Sequence, residues 1–212
     1  MSQPPKRRTG VIRPHGAYRG LKSYQTAEIV YDATAAFCDR FIDRRSRTHG
    51  QMVQAARRGK QNIAEGSMAS GTSSKFELKL VGVARASLEE LLLDFQDFLR
   101  QHGLPLWDKN SLRAQAVRRL AYAENRSYST YKTYVEEGTA EVAANTIVCL
   151  IHQANYLLDQ QLRQLEQRFS ARAVHRAALP GSPAVPAPAA GRIIRLRTRG
   201  LRRRAFVARV WR

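Results

Sequence analysis

The stretch SSKFELKLVGVARASLEELLLDFQDFLRQHG, residues 73–103, decides the fold class. Val81, Ala84, Leu88, Leu91, Phe95 and Phe98 recur at alternating three- and four-residue steps, which keeps one face of a helix turned toward a neighbour. Ser74 followed by Glu77 has capping-box spacing and opens the helix. Gly103 before Pro105 closes it. An apolar face of this length must be buried against something, and three other segments carry the same pattern. Upstream lie Tyr24, Ala27, Tyr31, Thr34, Cys38 and Phe41, with Ser23 as N-cap, and then Met52, Ala56, Gly59, Ile63 and Gly66, opened by Thr48 and Gln51. Downstream lie Ala144, Val148, Ile151, Asn155, Leu158, Leu162, Leu165 and Phe169. Burying four such stripes against each other predicts an all-α fold, an antiparallel up-down four-helix bundle with helices near residues 23–46, 49–69, 74–102 and 140–170. No segment of useful length has the period of a strand.

The links agree with that topology. His49 and Gly50 allow a tight turn, and residues 70–73 make a short connection, so the first three helices alternate in direction. Residues 104–138, with Pro105, Trp107, a short helix expected over 111–124 and a tyrosine-rich stretch, read as an insert between helices three and four that caps one end of the bundle. The expected division is a basic arm at 1–22, the bundle at 23–171, and a disordered Pro/Ala linker with an Arg-rich tail at 172–212. That tail also fits an interfacial membrane helix, or read-through sequence without an evolved role.

The formal net charge is +19, from 36 Lys and Arg against 17 Asp and Glu, a balance that points to polyanionic partners. Its distribution is uneven. Residues 1–22 carry six basic groups and no acid, and residues 172–212 carry eleven arginines and no acid. The segment between is nearly balanced, but residues 40–88 hold ten basic groups against three acids, whereas residues 89–101 hold four acids against Arg100. Cys38 and Cys149 both fall in helix patterns and imply core packing rather than a disulfide framework. No apolar run is long enough to span a bilayer, and no apolar segment follows the basic stretch Lys6–Arg8, so a cytoplasmic location is expected.

Gln61, Asn62, Ile63, Ala64, Glu65, Gly66 and Ser67, then Ser73, Ser74 and Glu77, then Ala84, Ala86, Ser87, Leu88, Glu89, Glu90 and Leu91 together resemble a known family. It is the small four-helix-bundle family encoded in intervening sequences of bacterial 23S rRNA genes, which includes the accessory protein of diversity-generating retroelements. The resemblance covers residues 20–103 by motif and 139–171 by pattern. It implies a homopentamer that binds nucleic acid and associates with a reverse transcriptase. The insert departs from the compact members and resembles a longer branch with a suffix domain.

No catalytic residue, cofactor or metal site is expected. His15, His49, His102, His152 and His175 lack metal-ligand spacing, and no glycine-rich loop follows a strand. Asn62 with Glu65, and Glu89 with Glu90, read as satisfied polar groups on helices rather than acid-base pairs. A basic surface remains: Arg40, Arg44, Arg45 and Arg47 at the end of helix one, Arg57, Arg58 and Lys60 across the turn, and Lys75 and Lys79, with Arg85, extending it along helix three. These residues point to nucleic acid, RNA or DNA, bound with little sequence preference. The competing reading is an adaptor that docks another protein, such as a reverse transcriptase. Tyr122, Tyr128, Tyr131 and Tyr134 lie among Arg118, Arg119, Arg126 and Lys132, which fits either base stacking or packing of the insert. Ile147, Leu150, Ala154 and Leu157 lie off the four-stripe core and are expected to face outward as a homo-oligomer contact.

Overall fold

The structure is a computed structural model that describes residues 16–177. Most of the expected basic arm (1–15), residues 178–212 of the expected tail, and the side chains of 172–177 lie outside the described residues. Among the described residues the chain is all-helical, without a strand. Five α-helices follow one another: α1 (Lys22–Phe41), α2 (Arg47–Ala69), α3 (Ser74–Gln101), α4 (Leu112–Arg119) and α5 (Ala140–Ala177). Residues through Gln167 belong to one compact unit; a second begins at Arg168, and its described part is the last turns of α5.

α2 and α3 pack antiparallel, because Gly59 meets Leu88 while Gly66, seven residues on, meets Glu77, Leu80 and Val81. Every residue of the two expected stripes is buried here. A Cβ on Gly59 would lie 2.6 Å from Leu88 Cδ2 and 2.8 Å from its Cγ, and Leu88 is itself fully buried. Close approach of the two helices therefore requires glycine at 59. At Gly66 the nearest atoms would be 3.4 Å away, an ordinary contact.

α5 runs antiparallel to α3, as Arg85 bonds Asp159 at 3.1 Å and Asn155 donates to Glu89 at 3.2 Å. α1 joins through the Ser23 hydroxyl, which donates to Gln161 at 2.8 Å. A single hydrophobic core takes residues from all five helices. Phe37 anchors α1 in it, edge-on to Phe95 and Phe98 at centroid distances of 5.0 and 4.9 Å.

Several helix ends differ from the expected ones for local reasons. α1 stops at Phe41, well short of residue 46. Ser46 caps α2 by accepting from the Thr48 N–H at 3.2 Å, which replaces the expected Thr48–Gln51 box. Ser73 rather than Ser74 caps α3, accepting from the Phe76 N–H. Ser23 lies inside α1 and is buried, so its hydroxyl is engaged with Gln161 and not with a helix end. α3 closes as expected at Gly103, whose φ of +65° lets the Leu104 N–H reach the Leu99 carbonyl at 2.9 Å.

The insert corrects the expectation most. Its α-helix covers only Leu112–Arg119, followed by a 3₁₀ turn to Tyr122. Instead of capping an end, it runs along α1 and α5. The Trp107 backbone N–H donates to Asn145 Oδ1 and its indole to Glu141, both at 2.8 Å, while Asn145 Nδ2 donates to the Pro105 carbonyl at 2.9 Å. Further on, Arg126 donates to Thr26 and Gln153, and Arg40 donates to the carbonyls of Val135 and Gly138. Thr26 and Arg40 are about 21 Å apart along α1 at 1.5 Å per residue, so the insert flanks most of that helix. Ala114, Val117, Tyr131 and Val135 place insert side chains in the common core. As a consequence, α5 is buried on every side from Ala143 to Ile151. Ile147, Leu150 and Ala154, expected to face outward, are fully buried within the chain, and Leu157 is half-buried.

Candidate nucleic-acid interface

The basic residues singled out from the sequence separate into five places. The first is the turn from α1 into α2 together with the first half of α2. There Arg44, Arg47 and Arg58 line one shallow cleft of about 520 Å³ with His49, Gln54 and Glu90. Arg58 lies about 16 Å along the helix from Arg47 at 1.5 Å per residue, so the cleft is elongated along α2. Arg45 and Arg57 are exposed beside it. Asp39 partly offsets the charge at one end, holding Arg44 Nε and His49 Nε2 each at 3.2 Å. Among the described residues, Arg45, Arg47, Arg57 and Arg58 take part in none of the ion pairs.

The remaining residues do not join this group. Arg40 is turned to the insert, where it holds two backbone carbonyls and covers the Phe41 ring at 4.4 Å. Lys60 lies over the Tyr31 ring, also at 4.4 Å. Lys75 and Lys79 are exposed in the first turns of α3, at the opposite end of the α2–α3 pair from Arg47. Arg85 is engaged by Glu89 and Asp159 at 2.6 and 3.1 Å, so it does not extend the patch. The sequence placed Arg40, Lys60, Lys75, Lys79 and Arg85 on the helices that carry them, whereas Arg44 and Arg45, expected at the end of helix one, lie in the turn and Arg47 opens α2. It could not tell that Arg40 was held by the Val135 and Gly138 carbonyls, 95 and 98 positions away, or Arg85 by Asp159, 74 away, although the Arg85–Glu89 pair, four apart, is local.

A second concavity, of about 950 Å³, lies between α1, the insert and α5. Tyr122 and Tyr156 stand at it with 89% and 57% of their surface exposed. Its cations, Arg19, Lys22 and Arg126, are matched by Glu28, Asp32 and Glu124. Burial raises the Asp32 carboxyl, with Lys60 pulling it back down. Tyr156 was missed from the sequence because it lies off the apolar stripe of α5, where an isolated aromatic carries no periodic signal. The other tyrosines pack: Tyr131 is fully buried, Tyr134 is half-buried, and the Tyr128 hydroxyl donates to Glu136 at 2.9 Å.

The nucleophilic and titratable groups of the core are held in their neutral forms. Burial pushes the Cys38 thiol up to about 12 and Cys149 up to about 11, and it lowers His152 to about 4. Among the described residues, no group of three His, Cys, Asp or Glu is placed to hold a metal ion, and no helix is long and apolar enough to cross a membrane. Compared with known proteins, the chain matches no family model, no curated protein and no solved structure.

Proposed function

We propose that this chain is a non-enzymatic nucleic-acid-binding protein in which α1, α2, α3 and α5 form an antiparallel four-helix bundle, with the insert laid along it. The observation that carries the reading is the elongated cleft of Arg44, Arg47 and Arg58, flanked by Arg45 and Arg57, where four arginines have no acidic partner among the described residues. Guanidinium groups kept in solvent on a rigid helix suit phosphate oxygens, and such contacts position a strand without reading its bases. The eleven arginines of residues 172–212 add capture of any polyanion. A pentamer and a reverse transcriptase partner rest on the family resemblance; Ile147, Leu150 and Ala154 give no local support to the pentamer, being buried. The adaptor reading is favoured by one feature, the charge-balanced groove at Tyr122 and Tyr156, which offers phosphates no net attraction.

The test is the slope of log affinity against log salt, for full-length chain, chain ending at Ala171, and each with Arg44, Arg45, Arg57 and Arg58 reversed to Glu. Each lost phosphate contact should reduce the slope by about 0.7 to 0.9. The shortened chain should bind single-stranded and structured RNA at low salt, and the reversed shortened chain should not. If the shortened chain binds no nucleic acid even at low salt, the adaptor reading replaces this one.

A further inference from the structure

α3 carries a second apolar face that nothing among the described residues covers. Phe76, Val83 and Leu93 are 50%, 41% and 56% exposed, and Ala86 is exposed between them. Lys79 and Glu90 lie on the same face, also exposed. All six fall within about 100° of arc at 3.6 residues per turn. Beside the centre of the stripe is Gly82, where an added Cβ would meet nothing within 4 Å. Small residues at a crossing let two helices approach to about 8 Å.

The charges along this face run in opposite directions from its centre. Lys75 and Lys79 precede it, and Glu90, Asp94 and Asp97 follow. Of these only Asp97 is ion-paired among the described residues, with Arg100 at 2.8 Å. The acids crowd one another, and Asp94 is raised by burial first and then by Glu90 and Asp97.

We propose that this face is a homodimer interface in which α3 packs antiparallel against α3 of a second copy about a two-fold axis. One register satisfies the whole stripe. It sets Phe76 against Leu93, Lys79 against Glu90, Val83 against Ala86 and Lys75 against Asp94, and the two-fold axis makes each pair occur twice. The apolar pairs cover the exposed rings and branches, and the cations of each copy meet the crowded acids of the other. A side-by-side parallel arrangement, as in a ring built on this helix, would instead set Lys79 near Lys79 and Glu90 near Glu90. One helix per copy gives an interface at the small end of specific contacts, below about 1,200 Å², so micromolar association is expected.

The experiment is sedimentation of the full-length, nuclease-treated chain with no nucleic acid present. Wild type should be a dimer at about 100 µM. Lys79→Glu and Glu90→Lys should each weaken association at least tenfold, and the double swap K79E/E90K should restore it, because each changed residue again faces the opposite sign on its partner. Val83→Asp should give a monomer with unchanged thermal unfolding, since the position is exposed. Glu90 borders both this face and the cleft, so the control lies at the far end of the basic patch: reversing Arg45 to Glu should leave sedimentation unaltered while weakening nucleic-acid binding. A wild-type monomer, a pentamer indifferent to Val83→Asp, or a double swap that fails to recover association would each overturn the proposal.

Discussion

α3 and the first half of α5 both carry apolar residues on more than one face, yet they meet different fates. In α5 the second face, at Ile147, Leu150 and Ala154, is fully buried inside the chain. In α3 the second face, at Phe76, Val83 and Leu93, stays open. The insert makes the difference: it follows α3 in sequence but lies along α1 and α5, held by Asn145, Thr26 and Arg40. A surplus apolar face therefore does not announce an oligomer. What matters is whether some other part of the same chain reaches it, and periodicity within a helix carries no information on that.

Truncating one side chain from each face separates the covered face from the open one. Leu150→Ala should cost about 2 to 5 kcal/mol, the range for removing a fully buried leucine, whereas Leu93→Ala should change the stability of the protomer by less than about 0.5 kcal/mol. Chemical denaturation at concentrations below dimer formation measures both. Equal effects would mean that the two faces are not differently covered.

The staple that holds the insert against α5 gives the next largest effect. Asn145 is buried and makes three hydrogen bonds, accepting from the Trp107 N–H and donating to the carbonyls of Pro105 and Glu141. Asn145→Leu would leave the Trp107 N–H and the Pro105 carbonyl unsatisfied, at about 1 to 3 kcal/mol for each group that stays dry. Hydrogen exchange should then show earlier opening of residues 104–138 than of α2 and α3.

His152 supplies a pH test on the same side of the molecule. Its folded pKa is lowered from 6.5 to about 4, so between those values the unfolded chain takes up a proton that the folded chain refuses. The stabilisation is complete above about pH 6.5, declines as the pH falls, and levels off below about 4, with a total loss of up to about 3 kcal/mol. Denaturation midpoints of wild type and His152→Gln across that window should diverge on the acid side. A shared pH profile would show that the imidazole is not shielded.

How much of this was legible follows from sequence distance. The α2–α3 seam was readable to the residue, from Met52 to Gly66 and from Val81 to Phe98, because both stripes are regular and the turn between them is short. Gly59 even marked the closest approach, and Gly59→Ala should destabilise by about 1 to 3 kcal/mol through overpacking on Leu88, while Gly66→Ala should be close to neutral. The caps at Ser46 and Ser73 were missed by one or two residues for local reasons, but the errors at Ser23 and Arg40 came from remote partners. Ser23 looks like a cap until Gln161 is brought beside it, and Arg40 looks like a free cation until Val135 and Gly138 present their carbonyls. Of the site, the arginines of the α1–α2 turn and early α2 were legible as a local run, and the expected antiparallel helices at 49–69 and 74–102 already implied that Lys75 and Lys79 sit at the far end, a consequence that grouping them with the arginines overlooked.

The smallest expected effect concerns what the insert shows to solvent after covering α5. Tyr131 faces inward and is fully buried, whereas Tyr122, nine residues earlier, is 89% exposed at the groove it shares with Tyr156. An exposed ring beside Arg126 can stack on a base, and removing such a contact costs about 1 to 3 kcal/mol per base in other single-strand binders. The groove's balanced charge gives no phosphate attraction to add to that, so the low end applies: Tyr122→Ala should weaken single-stranded RNA binding by about 1 kcal/mol, roughly fivefold, with unchanged salt slope. Duplex binding should not respond, because paired bases offer no free face to the ring. The measurement is a titration of both RNAs with wild type and variant at one salt concentration, followed by the slope for each. An equal loss on duplex and single strand would make Tyr122 a surface residue without a stacking role, and would leave the groove to a protein partner.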